Sequence, residues 1–204
     1  QAIIELCVTA KIDYRTITCK DIAFGIAPRL NAAGRLGDPT VVVKTLIEED
    51  PKKIETFVHE LEKINIKRKS IGESIQQDIN NQLKNNEPSN DTSIICSGKF
   101  WHTGIIGINA SKIVDQYHKP SIIIGFDDTT ARGSARSVPN VNIYNIIKDC
   151  SEYLEKFGGH SQAAGFSIKP ENITKFMELF KEKCNSVINE NDLKKQLLID
   201  AKLP

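Results

Sequence analysis

The chain has 204 residues, 40% of them hydrophobic and 26% charged, with a formal net charge of +1. That is the composition of a folded globular protein, not of a disordered or low-complexity one, and it leaves the partner class to where the charges sit. No apolar run reaches the roughly 20 residues that a membrane helix needs, so no membrane partner is expected.

In chain order, "QAIIELCVTAK" reads as an amphipathic helix already under way at Gln1, whereas "LLIDAKLP" reads as a strand that has just begun. A piece of a longer polypeptide is expected. Asp38-Pro39 and Asp50-Pro51 each suit a helix cap followed by proline in the first turn. From the second pair, apolar residues at Ile54, Phe57, Val58, Leu61, Ile64, Ile71, Ile75, Ile79 and Leu83 keep a helical period to about Lys84. Such a helix is ~50 Å long at 1.5 Å per residue, which reads as a connector. The polar stretch "KNNEPSNDT", Lys84 to Thr92, breaks the period and marks a boundary.

Short strands and helices alternate beyond it. The pattern predicts strands at Ser93–Cys96, Ser121–Phe126, Arg132–Val138 and Ala164–Ile168, with a turn at Asp127-Asp128. Helices are predicted at Gly104–Tyr117, Asn142–Lys148, Ser151–Phe157 and Pro170–Ile188. The expected fold class is therefore α/β: a helical linker region over residues 1–92, then a domain over 93–190 with a mixed β-sheet flanked by helices, then residues 191–204 entering a further unit. The five cysteines are scattered with no C-x-x-C pair, which suits reduced, mostly buried thiols in a cytoplasmic protein.

Two residue types carry the chemical signal. Glycines concentrate between Gly98 and Gly165, and Gly104-Ile-Ile-Gly107 opens a helix after a strand, either to offer amides to an anion or to allow close packing. The 27 basic residues are 21 lysines and six arginines. Four of the six, Arg29, Arg35, Arg132 and Arg136, flank glycine-bearing segments read as loops, "APRLNAAGR" and "ARGSAR". Arginine's planar fork suits a phosphate; structural ion pairs are the other reading. Arg15 and Arg68 read as structural residues on helices. His59 and His118 read as surface or capping residues, His102 lies in a strand-to-helix loop beside Trp101, and His160 rides on a loop after Gly158-Gly159. No histidine or carboxylate spacing suggests a metal cage, a dinucleotide fingerprint or a nucleophile triad.

Together the motifs "FGIAPRLNAAGRLGDP", "WHTGIIGINASKI", "GSARS" and "FGGHSQAAGFSI" resemble the RecJ family of single-strand-specific exonucleases in the DHH phosphoesterase superfamily. The resemblance implies that residues 1–92 end a catalytic domain and its interdomain helices, that 93–190 form the DHH-associated domain, and that 191–204 enter an oligonucleotide-binding domain. It implies 5′-to-3′ hydrolysis of single-stranded DNA, in DNA repair and recombination, by two divalent ions, manganese or magnesium. These are held by a DHH domain whose motifs this chain lacks, so that this chain binds no metal and is inactive alone. Its partners would be single-stranded DNA and its own DHH and oligonucleotide-binding domains. By the same resemblance Arg29, Asn31 and Arg35 bind the DNA and its 5′ phosphate, and Ser134 and Arg136 contact phosphate. Gly158, Gly159 and His160 hold the nucleotide being cut, and His160 assists catalysis. Trp101, His102 and Gly104 support the site, Trp101 by core packing rather than base stacking. Two other readings are an oligoribonuclease or cyclic-dinucleotide phosphodiesterase of the same superfamily, and a non-catalytic nucleic-acid-binding scaffold.

Overall fold

A computed structural model describes residues 1–85, 91–196 and 201. The chain divides into two compact units, residues 1–73 and 74–204. No described helix is long and apolar enough to cross a membrane.

The first unit is helical. It comprises α1 (Ala2–Ala10), α2 (Cys19–Asp21), a π-helical turn (Ile22–Ile26), α3 (Ala27–Leu36), α4 (Thr40–Ile47) and the first part of α5 (Pro51–Asn85). Its core joins Leu6, Cys7, Ile26, Ala33 and Val41 to Ile54, Val58 and Leu61, which recur on one face of α5 at helical spacing. The π-turn has a local cause. Pro28 has no N–H to continue the α-helical ladder, and one residue before it the Ala27 N–H bonds back to the Ile22 carbonyl in a widened turn. The segment "APRLNAAGR", expected as a loop, is therefore α3 itself, and Arg15, expected on a helix, lies in the turn after α1. Asp50 caps α5 by accepting the Lys52 N–H at 3.0 Å, as the Asp-Pro pair predicts.

The second unit is the mixed sheet with its helices, as expected. It contains β1 (Ile94–Lys99), α6 (Ile106–Tyr117), β2 (Ser121–Phe126), β3 (Ala131–Arg136), α7 (Ile143–Asp149), a 3-10 turn (Ser151–Tyr153), β4 (Leu154–His160), β5 (Ala163–Ile168) and α8 (Ile173–Val187). The order is β1-β2-β3-β5-β4; β1 and β2 are parallel and every other pair is antiparallel. One face is packed by α7 and α8. There Ile122, Ile124, Ala135, Ala164, Phe166 and Ile168 meet Ile146, Ile147, Phe176 and Phe180, with the Phe166 and Phe176 ring centroids 4.7 Å apart. Gly133 is small for this packing, because a Cβ there would lie 2.0 Å from the Phe166 ring. The last part of α5 belongs to this unit, through Gln82 Nε2–H donating to the Ser97 carbonyl (2.9 Å) and the Trp101 indole N–H donating to Asp78 Oδ2 (3.1 Å).

Two local expectations need correcting. Ser151–Phe157 is not a helix: after one 3-10 turn the chain enters β4, whose main chain ladders onto β5. Leu154 and Phe157 mimic helical spacing, but the main-chain pairing with β5 overrides so short a local pattern. "ARGSAR", read as a loop where its arginines were weighed, is strand β3, in line with the strand predicted at Arg132–Val138. Asp127 does make the predicted turn between β2 and β3: its Oδ1 accepts the Thr129 and Thr130 N–H groups at 2.8 and 2.7 Å. The "KNNEPSNDT" boundary and the strand expected in "LLIDAKLP" fall largely outside the described residues.

Candidate functional site

Side chains along a strand alternate between its faces, and register partners share a face. On the face opposite α7 and α8, three rows therefore cross β3, β5 and β4. They are Arg132, Ser167 and Lys156; then Ser134, Gly165 and Gly158; then Arg136, Ala163 and His160. With strands about 4.8 Å apart, β3 and β4 side chains of one row stand about 10 Å apart across a residue no larger than serine. Basic, hydroxyl and imidazole groups thus rim a shallow floor of small residues. A cleft of about 530 Å³ opens on it, walled by Arg132, Ser134, Lys156 and Ser167 on the sheet and by Thr103, Gly104 and Ile106 at the start of α6.

The parts are held as follows. Arg136 Nη1–H donates to Ser134 Oγ (3.2 Å) and to the Ala135 carbonyl (2.7 Å), which fixes the guanidinium and leaves the Ser134 O–H to donate outward. Gly107 allows α6 this close, since a Cβ there would meet Ser134 Oγ at 2.9 Å and Arg136 Nη2 at 3.2 Å. His160 ends β4, exposed, and its Nδ1 accepts the Gln162 N–H across the hairpin (3.3 Å), so the neutral ring carries its proton on Nε2. The expected loop position of His160 is replaced by a strand end. The two glycines before it differ. Gly158 has open space above it, whereas Gly159 sits at φ 150°, with any Cβ only 2.3 Å from the Ala163 carbonyl oxygen. Gly159 is thus a backbone requirement of the hairpin.

Trp101 is 7% exposed, with its ring packed over Gly98 and its main-chain carbonyl against Gly125, the register partner of Gly98. It packs, as the sequence reading favoured. His102 ties up the start of α6: its Nδ1 accepts the Gly104 N–H (3.1 Å), and its carbonyl accepts those of Ile105 (2.8 Å) and Ile106 (3.2 Å). Those amides serve the loop, so an anion in the cleft is met by the side chains of β3 and β4. Arg132 was among the arginines suited to a phosphate, though not in the set implied by the resemblance, and Lys156 was in neither. Once "LEKFGGH" is recognised as a strand, Lys156 alternates with Gly158 and His160 and was findable.

In the first unit, Arg29 is committed to its own helices. Its Nε–H donates to Glu62 Oε2 (2.5 Å), Nη2–H to Glu62 Oε1 (3.3 Å) and Nη1–H to the Gly25 carbonyl (2.6 Å) in the π-turn. Asn31 and Arg35 are exposed one turn apart on α3. Burial and the Arg35 charge lower the Arg68 pKa. Arg68 donates to Asn65 Oδ1 (3.0 Å), while the buried Asn65 Nδ2 and Arg68 Nε have no hydrogen-bond partner. Among the described residues no group of three or more His, Cys, Asp or Glu side chains fits a metal ion.

Residues 90–186 match the DHHA1 domain family. The chain is 32% identical over 174 residues to the single-stranded-DNA-specific exonuclease RecJ of Bacillus subtilis, covering 84% of this chain and 22% of that protein. It is 31% identical over 209 residues to the Haemophilus influenzae protein of the same name, covering 98% and 36%. Its fold matches the crystal structure of Thermus thermophilus RecJ in complex with Mn2+ with a TM-score of 0.80 at 23% identity, over 92% of this chain and 27% of that one. The chain thus spans about a fifth to a third of the length of these relatives.

Proposed function

The chain belongs to the RecJ-like proteins that carry a DHHA1 domain, and from that premise we propose that it is the substrate-binding part of a 5′-to-3′ single-stranded DNA exonuclease of DNA repair and recombination. The carrying observation is the three-row register that sets Arg132 with Lys156, Ser134 with Gly158, and Arg136 with His160 on one open sheet face. A strand phosphate enters above Gly158, where nothing blocks it. Ser134 O–H and the Arg136 fork donate to its oxygens, Arg132 and Lys156 neutralise the next phosphate along the floor, and the His160 Nε2–H donates to the phosphate being cut. Asn31 and Arg35 are the DNA contacts of the first unit; Arg29 braces α3 through Glu62. Divalent ions, manganese or magnesium, belong to a DHH domain outside this chain, and residues 191–204 lead into an oligonucleotide-binding domain. This chain alone therefore binds DNA without cutting it.

Fluorescence anisotropy with a labelled 12-nucleotide strand tests this. Affinity falls with salt, and Arg136→Ala weakens it about 10-fold or more, as expected for lost charged hydrogen bonds, without lowering Tm. Binding indifferent to both Arg136→Ala and Arg132→Ala overturns the assignment. In the full-length enzyme His160→Ala lowers kcat more than DNA affinity.

A further inference from the structure

The loop between β1 and α6 turns two adjacent aromatic residues in opposite directions. Trp101 is buried against Gly98 and Gly125, while Phe100 is 72% exposed. Phe100 also sits at φ 63°, a left-handed conformation that a bulky side chain disfavours and that glycine or asparagine adopts readily. Its N–H is locked onto the Phe126 carbonyl at 2.7 Å, so the ring is held out by a fixed backbone. An exposed ring at a strained position returns no burial energy to the fold.

The ring's surroundings indicate what it meets. Lys99 Nζ lies 5.0 Å from the ring centroid and pairs with Asp128 at 2.6 Å. Beside the ring a recess of about 250 Å³ is lined by Phe100, His102, Thr103, Phe126 and Thr130. Thr103 also walls the cleft of Arg132, Ser134 and Lys156, so the recess and that basic cleft share a wall. The carboxylate of Asp127, which also lines the recess, is turned into its own hairpin by Thr129 and Thr130, and Asp128 is held by Lys99. This end carries negative charge that disfavours a phosphate, next to an apolar ring face that favours a base. We infer that Phe100 is a stacking platform for a nucleobase of the single strand whose phosphates lie over Arg132, Ser134 and Lys156. The inference rests on the DNA-binding reading above and adds a residue that contacts the base. Stacking of this kind is indifferent to base identity, because every base has a π-face.

The test compares two labelled strands of equal length, oligo-dT and a strand of abasic tetrahydrofuran units, on this chain. The unsubstituted chain favours the base-bearing strand by about 10-fold, the scale of one base-aromatic stack. Phe100→Trp keeps that preference. Phe100→Gly, which suits the left-handed backbone and so keeps or raises Tm, removes most of it while abasic affinity stays the same. A preference unchanged in Phe100→Gly overturns the stacking role alone. Failure of the unsubstituted chain to bind either strand overturns the DNA reading, and this inference with it.

Discussion

On the face of the sheet under α7 and α8, Ala135, Ala164, Phe166 and Ile168 are buried among Phe176, Phe180 and the isoleucines of α7. One residue along on the same strands, the opposite face carries Arg132, Ser134, Arg136, Lys156 and His160 above glycine and alanine. A single period-two alternation builds the core and the candidate site at once, and each face constrains the other. The apolar side fixes the register, because a slip by one residue would bury the arginines and expose Phe166. The polar side can then be furnished with groups that contribute nothing to folding. Substitutions on the two faces should accordingly separate stability from binding.

The largest effect is expected from Phe166→Ala. It removes a ring in contact with Phe176 and leaves a cavity, costing about 3–5 kcal/mol by urea denaturation. Ser134→Ala, beside it but facing the cleft, should leave the urea midpoint in place and weaken single-strand binding; equal destabilisation by both would contradict the division of faces. Next come the paired glycines of β4. Gly159→Ala forces φ 150° on alanine and drives its Cβ into the Ala163 carbonyl, so a loss of about 1–3 kcal/mol is expected from strain. Gly158→Ala meets open space and should keep the fold while narrowing the phosphate approach, a change that shows in anisotropy and not in Tm.

The change of hydrophobic period from helical to alternating near residue 92 made the α/β class legible, and β3 was readable as a strand over most of its length, whereas the compact units divide at 73/74, inside α5. β4 was not. "SEYLEKF" has apolar residues three apart, and only its pairing with β5, formed through main-chain bonds, overrides that local pattern. The placement of Arg29 was hidden for a similar reason: its partner Glu62 is 33 residues away, so a guanidinium in a phosphate-like motif could not be told from one in an ion pair. The packing of Trp101 depends on Gly98 standing opposite Gly125, which is a property of register and not of either segment. The motif residues of β3, by contrast, share a face because strand alternation is written in that segment, and those of β4 join them through the pairing with β5.

The smallest expected effect is a pH dependence at the β2-β3 turn, beside the Phe100 recess. Hydrogen bonds from the Thr129 and Thr130 N–H groups, with the Thr129 hydroxyl, lower the Asp127 pKa to about 2. An unfolded carboxylate titrates near 4, so over that window the unfolded chain binds the proton more tightly than the folded one. The contribution of Asp127 to stability is therefore fully present above about pH 4 and lost as pH falls through about 2. Asp127→Asn removes the charge that those N–H groups stabilise. Its Tm should lie slightly below that of the unsubstituted chain at pH 6, and the gap should close as pH is lowered from 4 to 2. A gap that stays constant over that range would show that the turn is held by the shape of residue 127 and not by its charge. Asp127 would stay ionised at neutral pH in either case, so this outcome bears on the stability of the turn and not on the charge beside the Phe100 recess.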